Sequence, residues 1–453
     1  MAAFPRATAL AVVLSLCLVP TALVVPTVAL PTRTVVRAPG DAVYDVRLSS
    51  GPRGRTWTGT EEIAFTNTGD HVLGRVWLRL WSNGVQGCHP AAIRITDIEH
   101  GTIGASRERC TAVPIDLDST IAPGARIALR MGIRIQVPLR NDRFGAHGGA
   151  VYLGTVLPTL AVHDDDGWHL DRYVALGESF YSLAARYRVR LNVPAGLQTP
   201  ATGTLARRRT TADRAVRTYA ARDVRDFAWA AGRFSTLDAD TPAGRVRVWY
   251  LPSVTPLDKV RHVKANAVRS MATFSRAFGD YPYREVDVVV SAFRGIGGME
   301  YPQIVFANPE AFTVAHELAH QWWYGIVGDD QYADPWLDES FASWSEYLPI
   351  TPWTSCPHFA WPSVTARLTN DMTYWRAHPH EYRTVYVGGG CMLANLARRV
   401  GMHAFTGILA RYADRHWLGV VRPRDFQGIV ERAAARRLPG FDPVAFWARW
   451  RVD

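Results

Sequence analysis

Lysine is nearly absent: Lys259 and Lys264 are the only two, so arginine supplies almost all of the 51 basic side chains in 453 residues. The formal charge of +10 therefore reflects an arginine-rich, GC-biased coding composition. No Lys/Arg run resembles a nucleic-acid-binding arm, and nucleic acid is not expected as a partner. Internal repeats and long low-complexity tracts are missing too. Hydrophobic content of 48% with 20% charged residues fits an ordinary globular chain, long enough for two domains that each bury a core. Cysteine is scarce, five in all, and no pair has the Cys-x-x-Cys spacing of a metal site.

Charge is also missing from Ala7 to Leu30, behind Arg6, and the apolar run around Leu10–Val19 fits a secretory signal with a cut after Ala29. Residues 1–29 are thus expected to be a signal peptide and the protein to be exported, extracellular or bound to the cell envelope. A retained membrane anchor is the alternative, since the stretch could span a bilayer, although Pro20 and Pro26 weaken it. Membrane association depends on that segment staying uncleaved. In an exported chain the four later cysteines permit disulfides. Proximity favours Cys88–Cys110 and Cys356–Cys391.

From about Ala38 the chain reads as short strands. Val76-Leu78-Leu80, Ile127-Leu129-Met131-Ile133-Ile135 and Tyr187-Val189-Leu191-Val193 place apolar residues at every second position between Gly, Pro, Asn and Asp turns, which predicts an antiparallel β domain over 38–240. His163-Asp164-Asp165-Asp166-Gly167 lacks the full spacing of a calcium loop and reads as a solvated turn. Asp, Thr, Pro and Gly cluster at 238–244, where the boundary is placed. A strand over Arg245–Leu251 follows, then a helix opened by Thr255, with Pro256 at its first position and Asp258 completing a capping pattern. Val260, Val263, Ala267, Met271, Phe274 and Phe278 recur at helical spacing up to Gly279. Val286–Val290 and Ile304–Phe306 read as strands, Thr313 opens another helix, and the pattern from Trp361 onward is mainly helical. Residues 241–453 therefore form a mixed second domain, and the fold class is α+β.

His316-Glu317-Leu318-Ala319-His320 matches H-E-x-x-H on that helix. Four helical residues return the chain about 40° round and about 6 Å along, so both imidazoles can reach one ion with Glu317 beside them. A catalytic zinc needs a third ligand and an open position. Glu339 in Asp334-Pro335-Trp336-Leu337-Asp338-Glu339-Ser340-Phe341-Ala342, with 18 residues between it and His320, supplies a carboxylate.

H-E-x-x-H, 18 residues, then Glu within W-L-x-E-x-F-A resembles the gluzincin aminopeptidases, the family of aminopeptidase N and leukotriene hydrolase. Gln321-Trp322-Trp323-Tyr324-Gly325 and Val327 match the family's continuation. The resemblance implies one zinc per chain on His316, His320 and Glu339, in a thermolysin-like domain behind an amino-terminal β domain. Gly297-Gly298-Met299-Glu300-Tyr301-Pro302 is similar to the G-x-M-E-N exopeptidase motif, with Tyr301 in place of asparagine. It implies that Gly297, Gly298, Met299 and Glu300 line the cleft and that Glu300 grips a substrate's amino group. Tyr386-Val387-Gly388-Gly389 resembles the Y-x-K-G segment carrying the catalytic tyrosine, with Gly388 in place of lysine and Tyr382 as the alternative oxyanion donor. Asp425-Phe426, Phe446-Trp447 and Trp450 look like the helical end of the catalytic domain. The likeness is to a short bacterial form lacking the large carboxyl-terminal helical domain, and the glutamine that the family's β domain lends to the amine site has no counterpart assigned here.

The expected reaction is hydrolysis of peptides from a free amino terminus, with Glu317 as general base and Tyr386 at the oxyanion. Two other readings stay open: an endopeptidase of the same fold, and a non-catalytic zinc-containing binding protein. Side-chain preference and oligomeric state are not legible.

Overall fold

A computed structural model describes residues 35–452 apart from 355, 357, 358, 438 and 439. The expected signal peptide lies outside the described residues. Residues from Val36 onward form one compact unit.

The apolar alternation builds a seven-stranded sheet. Across it run Thr204–Thr210, Arg214–Val224, Ala185–Pro194, Gly40–Ser50, Thr56–Thr66, Arg126–Gln136 and Ile93–Glu99. Leu129, Met131, Ile133 and Ile135 turn one way into the core, as do Tyr187, Val189, Leu191 and Val193, because side chains in a strand repeat every two residues. All pairings in this sheet are antiparallel except Gly40–Ser50 against Ala185–Pro194, which is parallel. Parallel neighbours need a long connection. Here the connection contains the strands of a smaller sheet, Leu73–Arg79, Gly101–Ile103, Ala112–Ile121 and Thr159–Leu160, whose Val76, Leu78 and Ile115 share a core with Val46, Leu129 and Val189.

The turn-forming cluster at 238–244 is not a linker. Strands Ser235–Thr241 and Gly244–Tyr250 form a tight antiparallel hairpin there, and Gly244 takes a φ of 105° that other residues rarely adopt. A five-stranded mixed sheet therefore begins at Ser235, and it continues through Glu285–Val290, Ile304–Ala307 and Gly298–Met299.

Helix Leu257–Phe278 buries Val260, Val263, Ala267, Met271, Phe274 and Phe278, and Gly279 closes it. The capping expectation fails at its start. Pro256, with an extended ψ of 147°, is the boundary residue and no side chain caps the helix. Thr255 is held one step outside by its own amide, bonded to the Leu251 carbonyl. The next helix runs Ala311–Ala319, two residues earlier than Thr313, and His320 closes it with helical φ and ψ of −63° and −12°. Its amide still bonds the His316 carbonyl at 3.3 Å, so both imidazoles project from one helical turn.

Among the described residues, Trp336–Ser345 is followed by the α-helices Met372–Ala377, Gly389–Val400, Met402–Arg415, Pro423–Arg437 and Pro443–Trp450. Directly after His320 the chain drives Trp322 and Trp323 into the core. Trp323 meets Phe278 at 4.8 Å and Phe341 at 5.1 Å between ring centroids, and its Nε1 donates to Ser345 Oγ at 2.9 Å. These contacts lock the His320 end of one helix against the Trp336–Ser345 helix, which carries Glu339. Cys88 is bonded to Cys110 and Cys356 to Cys391.

Candidate metal centre and active site

His316, His320 and Glu339 converge. Glu339 Oε2 lies 3.1 Å from His316 Nε2 and 3.6 Å from His320 Nε2, and the two Nε2 atoms are 3.1 Å apart. Tetrahedral ligands on bonds of about 2.0–2.1 Å stand roughly 3.3–3.4 Å from one another, so the edges of this triangle would fit a zinc ion. Two ring nitrogens this close also gain from a shared cation between them.

Each imidazole is aimed from behind. His316 Nδ1 contacts Glu346 Oε2 at 2.7 Å. His320 Nδ1 contacts Asp338 Oδ1 at 2.5 Å and the Trp323 carbonyl at 3.0 Å, and Gln331 Nε2 donates to the other Asp338 oxygen. Such partners fix the tautomer that leaves Nε2 free for a metal. Burial alone would raise the Glu339 carboxyl, but hydrogen bonds from His316 and His320 hold it well below the usual range.

The cavity beside this triangle, about 410 Å³, is lined by Gly297, Gly298, Met299, Glu300, Glu317 and Tyr386 together with the three ligands and several further residues. Every residue singled out for the site therefore reaches one place. Gly298 touches Glu317 so closely that a Cβ there would lie 2.5 Å from Glu317 Cγ. Burial pushes the Glu317 carboxyl up to about 8, with His316 pulling it down and Glu300 pushing it up. Burial likewise raises Glu300 to about 7. A divalent cation on the three ligands would lower both.

Of the two tyrosines, Tyr386 faces the cavity. Its hydroxyl donates to Glu339 Oε1 at 2.7 Å, from a π-helical turn over Thr384–Gly388, a backbone form frequent at functional sites. The Tyr382 hydroxyl instead abuts Gly177, where a Cβ would lie 2.1 Å away.

Four residues to which the sequence assigns no role join the site. Glu346 follows Glu339 by seven positions, two helical turns, a spacing that puts both on one helix face. Asp338 directly precedes Glu339 in sequence. Glu178 and Arg143 come from the β half, where no local pattern marks them; they pair at 2.8 Å and line the cavity. Burial works against the Arg143 charge, and Glu178 restores it.

A second group, His169, Asp171 and Asp330, offers no free imidazole nitrogen. His169 Nε2 contacts Asp164 at 2.8 Å and Nδ1 contacts Asp330 at 3.1 Å. Asp164 and Asp166 are further engaged by Arg422, so the acidic turn at 163–167 carries paired charges.

Residues 264–450 match the Peptidase family M1 domain. Aminopeptidase N of Streptomyces lividans is 26% identical over 194 residues, 35% of this chain and 22% of that protein. Aminopeptidase N of Lactococcus lactis subsp. cremoris (strain MG1363) is 31% identical over 191 residues, 38% and 21% of the respective lengths. The matched part thus spans about a fifth of these relatives. The M1 zinc metallopeptidase from Deinococcus radiodurans shares the fold over 92% of this chain and 93% of its own, with a TM-score of 0.64 and 19% identity. A mutant of that protein bound to a Tyr-Ser-Ala substrate superposes equally well, with a TM-score of 0.64 and 18% identity.

Proposed function

We propose that this chain is an exported zinc aminopeptidase binding one zinc per chain. The observation that carries this reading is the convergence, in one cavity, of a His316, His320 and Glu339 triangle of zinc-sized edges with two further buried carboxylates, Glu317 and Glu300. The aminopeptidase N relatives support it. His316, His320 and Glu339 would hold the zinc, which would supply Lewis acidity for a peptide carbonyl and for water.

The chain's own residues do the rest. Glu317, held against Gly298, accepts a proton from the attacking water and delivers it to the leaving amine. Tyr386 turns its hydroxyl from Glu339 to the oxygen that gains charge as the carbonyl becomes tetrahedral. Glu300 pairs with the substrate's ammonium, which fixes how many residues precede the scissile bond. Asp338 and Glu346 keep the imidazoles oriented.

Export rests on the uncharged segment behind Arg6 and on two disulfides, which persist in oxidising compartments. The deciding experiment is a panel of aminoacyl fluorogenic substrates and amino-blocked peptides, with and without a chelator. Chelator-sensitive hydrolysis restricted to free amino termini is expected. Equal cleavage of blocked peptides would make the enzyme an endopeptidase, and no hydrolysis by the zinc-loaded protein would leave a binding protein.

A further inference from the structure

One face of the seven-stranded sheet is core; on the other, four neighbouring strands at one end gather arginines. Arg47 lies directly beside Arg190 across the parallel pair of strands, Arg190 is opposite Thr218, and Thr218 is opposite Arg207. Two residues along, on the same face, stand Asn192, Val216 and Arg209. Arg47, Arg188, Arg190, Arg207, Arg209 and Arg214 wall a groove of about 650 Å³ whose single acidic lining residue is Asp45. None of its lining residues lines the metal cavity.

The groove's charge is not internally balanced. Asp45 is taken by Arg47 at 3.1 Å and Arg188 at 3.8 Å, and Arg214 is tied to the Ser50 carbonyl and to Asn192. Arg190, Arg207 and Arg209 have no ion-pair partner among the described residues. Like charges side by side in a sheet are destabilising. Arginines on Thr204–Thr210 could be explained as guards of an edge strand. That explanation does not reach Arg190 and Arg47, which sit two and three strands inward.

The shape and floor narrow the counter-charge. A groove takes a chain and not a plane, which disfavours a membrane surface. Its floor is Ala206, Val216, Thr218 and Ala220, and no aromatic residue lines it, so it lacks the stacking platforms on which single-stranded nucleic acid lies. Small C–H surfaces flanked by guanidinium forks suit sugar rings bearing carboxylates, each fork matching one carboxylate with two parallel donors. We infer that this face is a docking groove for a linear acidic polysaccharide, separate from the peptide-cleaving site.

The test is binding of the full chain to sodium polygalacturonate, with neutral dextran, a single-stranded oligonucleotide and phosphatidylglycerol vesicles as the other arms. Polygalacturonate should bind, more weakly as salt rises. The triple variant Arg190→Ser, Arg207→Ser, Arg209→Ser should lose at least tenfold in affinity with aminoacyl-substrate hydrolysis unchanged. A charge-matched control, Arg261→Ser, Arg269→Ser, Arg376→Ser, replaces exposed arginines elsewhere and should bind as the parent does. Equal binding by the groove variant, an equal loss in the control, binding of dextran, or tighter binding of oligonucleotide or vesicles than of polygalacturonate would each overturn the assignment.

Discussion

Replacing Gly298 by alanine puts a methyl group where Glu317 already is. The added carbon would lie 2.5 Å from Glu317 Cγ and 2.6 Å from its Cδ and Oε1, whereas carbon atoms rest about 3.5–4.0 Å apart. The strand at Gly298–Met299 is pinned by its pairing with Phe306 and Ala307, so the side chain must yield, and the Glu317 carboxylate retreats by about 1 Å. A displacement of that size at a catalytic group costs on the order of 10²-fold, about 2.7 kcal/mol of barrier. The loss should appear in kcat with KM nearly unchanged, because Glu317 handles a proton and does not grip the substrate. Zinc content and Tm should stay close to the parent's, since the three atoms nearest the Cβ all belong to the Glu317 side chain. Kinetics on an aminoacyl fluorogenic substrate, metal analysis and a melting curve measure all three. The same change made in a Glu317→Gln background should cost far less, because the displaced group is already disabled. Near-parental kcat in Gly298→Ala, or equal losses in the two backgrounds, would refute the placement of Glu317 as the base.

His320→Ala should abolish stoichiometric zinc, while Glu317→Gln should retain it; zinc retained by the His320 variant would remove that residue from the centre. Glu300→Ala should lose about one to two powers of ten in kcat/KM on free peptides, from a charge-assisted contact worth roughly 1.5–3 kcal/mol, and little on amino-blocked ones; equal losses would favour the endopeptidase reading. Asp338→Asn should weaken zinc affinity by about 10–100-fold, read by chelator competition, and unchanged affinity would deny it a role in orienting His320. Burial works against the charge on His169, but hydrogen bonds to Asp330 and Asp164 raise it to about 9. Its folded pKa lies above its ordinary value of about 6.5, so its stabilising contribution is complete below about pH 6.5 and is lost as pH rises through 9. The Tm difference between the parent and His169→Gln should shrink across that window, and a constant difference would refute the charge.

What the sequence made legible was local. H-E-x-x-H followed by Glu339 brought out His316, His320 and Glu339, which the fold gathers into one group, because two helices carry them and helical spacing is rigid. The apolar alternation in Arg126–Gln136 and Ala185–Pro194 read directly as strands because one face is buried. Misreadings arose where a short turn serves two purposes: the cluster at 238–244 has linker composition and yet closes a hairpin, and Thr255 has the chemistry of a cap but is engaged by its amide one residue too early.

The unread residues share a different cause. Arg143 and Glu178 enter the cavity from loops far from residue 300 in sequence, so no window short enough to show a period contains both partners. The same holds for the arginine groove, with more consequence. Arg47, Arg190 and Arg207 fall in three separate segments and look like scattered compositional bias, which is how the charge of the chain reads along its length. Register alone makes them neighbours, since a slip of one residue in Gly40–Ser50 or Ala185–Pro194 would turn Arg47 or Arg190 into the core. The buried Val46, Val189 and Tyr219 on the opposite face forbid that slip. The hydrophobic pattern that was legible therefore fixes a charged surface that was not.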